Sequence, residues 1–104
     1  MLQAEAVNVV VRGSVEDRQR HHAQERVAHA ARHVHAPISF ARVILTAAGV
    51  PARGRPVNAR AVLDVSGRTV QANASAANMH EAIDRLHERL RRQLQQKAGR
   101  RDTT

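Results

Sequence analysis

The chain has 104 residues, room for one domain and too few for two. It holds no cysteine, which excludes disulfides, zinc–thiolate sites, iron–sulfur ligation and thiol nucleophiles. Lysine and arginine outnumber aspartate and glutamate 17 to 9, a net charge of +8, so a folded domain of this composition attracts polyanions.

Nearly all of that positive charge is arginine, since Lys97 is the only lysine. Arginine offers a planar fork of donors that fits phosphate. A genome that favours arginine explains the arginine-to-lysine ratio, but it does not explain the excess of bases over acids. Large side chains are scarce, with one Phe and neither Trp nor Tyr, so a thin core of Ala and Val is expected. No apolar run approaches the roughly 20 residues that cross a bilayer. Met1–Glu5 lacks the basic start and long apolar stretch of a signal peptide. The expected location is the cytoplasm.

Val7–Arg12 is short and β-branched and reads as a strand, with Val7, Val9 and Val11 on one face. Gly13 breaks it, and Ser14 is placed to cap a helix whose first turn carries Glu16 and Asp17. The helix is expected to run to about Val34 on a weak stripe of Ala23, Val27, Ala30 and Val34, with Pro37 ending it. Ile38–Ala47 reads as a second strand. A loop punctuated by Gly49, Pro51, Gly54 and Pro56 and carrying Arg53 and Arg55 follows it. From Val57 to Val65 apolar and polar residues alternate, the mark of a strand with one wet face. Ser66-Gly67 fits a two-residue hairpin turn, and Arg68–Ala74 is the return strand, with Val70, Ala72 and Ala74 inward. Asn78 is placed to cap a last helix, with Glu81 three residues on. Met79, Ile83, Leu86, Leu90 and Leu94 form its buried stripe, and its end is expected near Ala98-Gly99. The order β-α-β-β-β-α predicts a two-layer α+β sandwich, a four-stranded sheet with both helices on its apolar face. Residues 1–98 are expected to form one domain and residues 99–104 a polar basic tail.

At 100° per residue, Arg85, Arg89 and Arg92 fall on one flank of the last helix, Gln96 continues that row, and Arg91 lies across the helix. Glu81, Asp84 and Glu88 are read onto its back. Such a row meets successive phosphates. A solvated face with i,i+4 pairs of Glu81 with Arg85 and Glu88 with Arg92 explains the same spacing. The first helix adds Arg18, Arg20, Arg26 and Arg32. Arg18, His22, His29 and Arg32 fall roughly on one outward side, interrupted by Glu25. His29 and His33, with His35 behind, have the spacing of a metal-binding pair but no third ligand in a suitable pattern, and no metal or cofactor is expected. Catalytic motifs are not evident: there is no phosphate-cradling glycine loop, no nucleophile elbow and no paired carboxylates. Stacking aromatics are missing too, with Phe40 alone and read as partly buried. An RNA ligand is therefore expected to be held by backbone and shape.

Asn78-Met79-His80-Glu81-Ala82-Ile83-Asp84, continuing through Arg85-Leu86 to Arg92-Gln93-Leu94, resembles the last helix of ribosome hibernation-promoting factors of the S30EA type. That family reads D-M-Y-x-A-I-D and then K-L-x-R-Q-L. The hairpin from Leu63 to Ala72 aligns without a gap, and the element order agrees over nearly the whole chain. His80 stands for the motif's Tyr, Asn78 for its Asp, Ala76-Ala77 for a glycine-containing turn, and Gln96 for a later lysine. The first helix lacks the family's Leu and aromatic core residues. The sequence looks most similar to the N-terminal domain of actinobacterial, dormancy-associated members.

The resemblance implies binding to the small ribosomal subunit in the channel used by mRNA and by tRNA at the A and P sites. Contact would be made with rRNA backbone by basic residues of both helices. Translation would be blocked and idle ribosomes preserved during stress. By position, Arg89 and Arg92 match family basic residues. Arg85, Arg91, Lys97 and Arg100 are basic neighbours, and Arg18, Arg26 and Arg32 are the first-helix candidates. Longer members add a C-terminal domain that affects ribosome dimerisation. Two other readings fit the composition: a general double-stranded RNA- or DNA-binding module, and a protein-interaction domain that pairs through its sheet edge. A metalloenzyme is a third, and it would need bound metal.

Overall fold

The computed structural model describes residues 2–47 and 56–99, with residues 97–99 described by their backbone alone. The loop arginines Arg53 and Arg55, Arg100 and the tail lie outside the described residues. The elements are β1 (Asn8–Arg12), α1 (Asp17–Ala30), β2 (Ile38–Thr46), β3 (Val57–Val65), β4 (Arg68–Ala76) and α2 (Met79–Gly99), preceded by a single 3-10 turn at Ala4–Ala6.

The alternation from Val57 to Val65 builds the centre of the sheet. Ala59, Ala61 and Leu63 are fully buried, while Arg60 on the same strand is exposed. The strand turns at Ser66 and Gly67, whose φ values of 51° and 81° are the two positive angles of a type I′ hairpin. Asp64 fixes this turn by accepting the Gly67 N–H at 2.8 Å. The return strand then lies in register, Ala61 opposite Ala72 and Arg60 opposite Asn73.

The sheet order is β1-β2-β3-β4, with β1 parallel to β2 and the other pairs antiparallel. The parallel pair is joined through α1, as a parallel connection requires. One sheet face is apolar. Val43, Leu45, Ala59, Leu63, Val70 and Ala74 from the strands share one core with Ala23 and Val27 of α1 and with Ile83, Leu86, Leu90 and Leu94 of α2. The other face carries Asn8, Arg42, Arg60, Gln71 and Asn73. The expected two-layer α+β sandwich is thus the observed one.

Local differences have physical causes. Glu16, not Ser14, caps α1. Its side chain accepts from the first turn, and its own N–H donates to Gln19 Oε1 at 3.0 Å, a reciprocal box made by a longer acceptor. The helix ends at Ala30 rather than Val34: the Arg32 N–H bonds the His29 carbonyl at 3.1 Å, tightening the chain into turns. In β4 the pairing continues two residues past Ala74, to Ala76. Phe40 is 40% exposed, because strand alternation sets it on the polar face with Arg42 and opposite buried Ala41 and Val43; the Arg42 guanidinium covers its ring at 5.0 Å.

Candidate nucleic-acid interface

Helix α2 starts where the sequence places it. Asn78 Oδ1 accepts the Glu81 N–H at 2.9 Å, and the Met79, Ile83, Leu86, Leu90, Leu94 stripe is buried. Burying that stripe against β3 and β4 fixes the roll of the helix, so its arginine flank overhangs β4. Strand β4 is an edge strand, with backbone carbonyls that no further strand pairs. Arg85 Nη1 donates to the Ser75 carbonyl at 3.0 Å, and Arg89 Nη1 to the Asn73 carbonyl at 2.6 Å. Two of the three flank arginines therefore guard the sheet edge and are held by it.

Below this flank a groove of about 540 Å³ opens between α2 and the polar end of the hairpin. Arg89, Arg92, Gln93 and Gln96 line it from the helix, and Arg60, Gln71 and Asn73 from the strands. No carboxylate lines it among the described residues. Arg60 Nη2 donates to Gln71 Oε1 at 2.6 Å across the hairpin, which holds its guanidinium toward the groove. Arg92 has no ion-pair partner among the described residues. Three guanidiniums with spare N–H donors, flanked by amides, make a wall suited to phosphate oxygens.

The remaining candidates lie elsewhere. Arg85 is also paired with Glu81 at 2.7 Å, the expected i,i+4 pair. Glu88 does not pair with Arg92. It accepts from Arg91 at 3.2 Å, and this bond holds its carboxyl below the ordinary range. Arg92 makes no ion pair with Glu88 and lines both the groove and a neighbouring depression that holds Glu81, Asp84 and Glu88. On α1, Arg18 is highly exposed and bonded to Glu16 at 2.9 Å, and Arg32 is exposed just past the helix end. Arg26 is half-buried between the helices. Lys97 lies on α2, with its side chain outside the described residues.

Of the α1 histidines expected to face outward, His29 is exposed and reaches α2 from the rim, while His22 is half-buried against α2. His22 Nε2 lies 3.0 Å from Asp84 Oδ1, so Asp84 turns toward α1 rather than the back of α2. Arg26 Nη2 donates to His87 Nδ1 at 3.0 Å, and His87 Nε2 lies 2.9 Å from His29 Nδ1. A guanidinium can only donate, so His87 Nδ1 is unprotonated and Nε2 carries the proton donated to His29. His87 is 5% exposed, and its pKa is lowered from 6.5, first by burial and then by Arg26 and His29.

The profile of the sigma 54 modulation protein / S30EA ribosomal protein family matches residues 7–102. The chain belongs to that family. Among solved structures, the N-terminal domain of Protein Y from Thermus thermophilus superposes with a TM-score of 0.69 at 24% identity, covering 86% of this chain and 93% of that one. A ribosomal subunit interface protein from Coxiella burnetii also gives 0.69, at 17% identity, with 89% and 97% covered. At these identities the two structures show that the S30EA chain shares their fold. No curated protein sequence matches it. Of the residues singled out in this S30EA sequence, Arg89 and Arg92 are brought together in one groove. Arg85, Arg91 and Arg26 are engaged in other contacts. Arg60 joins the groove without having been singled out; the signal was its place on the wet face of β3, beside the edge strand β4.

Proposed function

We propose that this chain binds the rRNA of the small ribosomal subunit in the mRNA and tRNA channel and blocks translation by filling it, as a hibernation factor of idle, stressed cells. The observation that carries the reading is the acid-free groove in which Arg60, Arg89 and Arg92 converge. Family membership supports a ribosome as the partner, and the likeness to a ribosomal subunit interface protein of Coxiella burnetii points the same way. A groove lined by guanidiniums and amides, with no aromatic ring among its lining residues, suits sugar–phosphate backbone. Arg18 and Arg32 supply outer phosphate contacts from α1. Lys97 and Arg100 follow this row in the sequence and are further candidates for phosphate contact.

Cell-free translation tests this. Stoichiometric protein should inhibit initiation on vacant ribosomes, and prebinding mRNA and initiator tRNA should relieve the inhibition. Unchanged translation at saturating protein, or inhibition indifferent to mRNA and tRNA, would overturn channel occlusion.

A further inference from the structure

His22, His80 and Asp84 lie together at the seam between α1 and α2, and none of the three lines the arginine groove. His22 Nε2 is 3.0 Å from Asp84 Oδ1, and His80 Nε2 is 3.4 Å from Oδ2. The donor atoms of all three lie within 4.8 Å of one another. The two imidazoles stack at 4.4 Å between centroids with 9° between planes, so both direct Nε2 at one carboxylate. We propose that these three side chains form a binding site for a first-row divalent cation of the zinc, cobalt or nickel kind, which staples α1 to α2.

The ligand types fit that class. Metal–ligand bonds of about 2.0–2.1 Å in a tetrahedron set ligand–ligand edges of about 3.3–3.4 Å. The 3.0 and 3.4 Å distances run to different oxygens of Asp84, and parallel rings cannot both hold one ion in plane, so binding requires the exposed His80 ring to turn out of the stack. Two imidazole nitrogens and one carboxylate suit a borderline cation; magnesium and calcium require more oxygens than the site offers. His80 and Asp84 sit at i,i+4 on α2 and so present to one point, while His22 comes from α1, 62 residues from Asp84 in sequence. The His80 side chain is 70% exposed, which leaves an entry path and an open coordination position for water. Arg26 Nε, 3.8 Å from Asp84 Oδ1, opposes the cation and limits its affinity, so Arg26→Gln should tighten binding.

The test is titration of untagged protein with zinc chloride, by calorimetry, and with cobalt chloride, by visible absorption. One ion per chain, an intense tetrahedral cobalt spectrum and a thermal midpoint raised by zinc are expected. His80→Ala, at an exposed position, should weaken binding at least about tenfold and abolish the thermal shift. His33→Ala and His35→Ala should bind as the native chain does. Should His80→Ala fail to fold by circular dichroism, His22→Gln carries the same expectation. Absent zinc binding, equal binding by the native chain and the seam variant, or a loss that follows His33 or His35 instead, would overturn the site.

Discussion

Replacing Gly13 with alanine tests how the parallel edge of the sheet is closed. Gly13 follows β1 with φ +97°, and an added Cβ would lie 1.7 Å from the Ala47 carbonyl oxygen and 2.8 Å from its carbon. Non-bonded heavy atoms settle at about 3.5–4.0 Å, so the backbone must retreat by well over 1 Å. That retreat breaks the bond from the Ala47 N–H to the Arg12 carbonyl, 2.8 Å long, which closes the β1–β2 ladder. The left-handed angle costs about 1–2 kcal/mol and the lost hydrogen bond about 0.5–1.5. With displacement of the end of β1 added, the total is about 3 kcal/mol. Gly67→Ala is the control. Its φ is +81°, but nothing lies within 4 Å of the new carbon, so strain alone acts, about 1 kcal/mol after the loss of unfolded-state freedom. At this size 1 kcal/mol shifts the thermal midpoint by about 4–8 °C. Thermal unfolding followed by circular dichroism should show Gly67→Ala lowered by about that much and Gly13→Ala by more than about 10 °C. Equal shifts, or a larger one for Gly67→Ala, would refute the clash with Ala47.

Leu90, fully buried between α2 and the sheet, should lose about 2–5 kcal/mol as Leu90→Ala, read by urea unfolding; less than about 1 kcal/mol would mean the thin core collapses around the gap. Acid should weaken the seam between the helices. His87 has its folded pKa below its unfolded value of 6.5, so the unfolded chain binds the extra proton, and stability present above pH 6.5 is lost as pH falls toward the folded pKa. Arg26 and His29 on α1 and Arg91 on α2 enforce this, and Glu88 opposes it. Urea midpoints at pH 7.5 and 5.5 should therefore diverge more for the native chain than for His87→Gln, and parallel changes would count against it. Arg85→Ala removes an edge guard and an exposed ion pair worth about 0.2–1 kcal/mol, so ribosome binding should change less than in Arg92→Ala. The reverse order would move the anchor out of the groove.

The hairpin and α2 were legible because each carries a strong period: alternation from Val57 to Val65, and five apolar residues from Met79 to Leu94 at helical spacing. Helix α1 was less so. Its stripe of Ala23, Val27 and Ala30 is small, and the space between the helices is completed by His22, Arg26 and His87, whose contacts depend on how the two helices pack. The same limit hid Arg60, which enters the groove only through the β3–β4 register and the roll of α2, both tertiary facts. Asp84 is the clearest case. Alone it reads as one of three acids on a helix back, and only the packing of α1 shows that it also faces the His22 imidazole and the Arg26 guanidinium. Arg89 and Arg92 were legible because they lie beside the buried stripe, so the packing that fixes one fixes the other.

Co-sedimentation with purified small ribosomal subunits over a salt series, with the Arg89→Glu/Arg92→Glu double variant alongside, tests the central claim most directly. The native chain should pellet with the subunit, be displaced by tRNA, and lose affinity log-linearly with salt. The variant should stay in the supernatant, or bind with a salt slope smaller by about 1.5–2. Equal pelleting of both proteins, pelleting of neither, or binding indifferent to salt would contradict an arginine groove that holds rRNA.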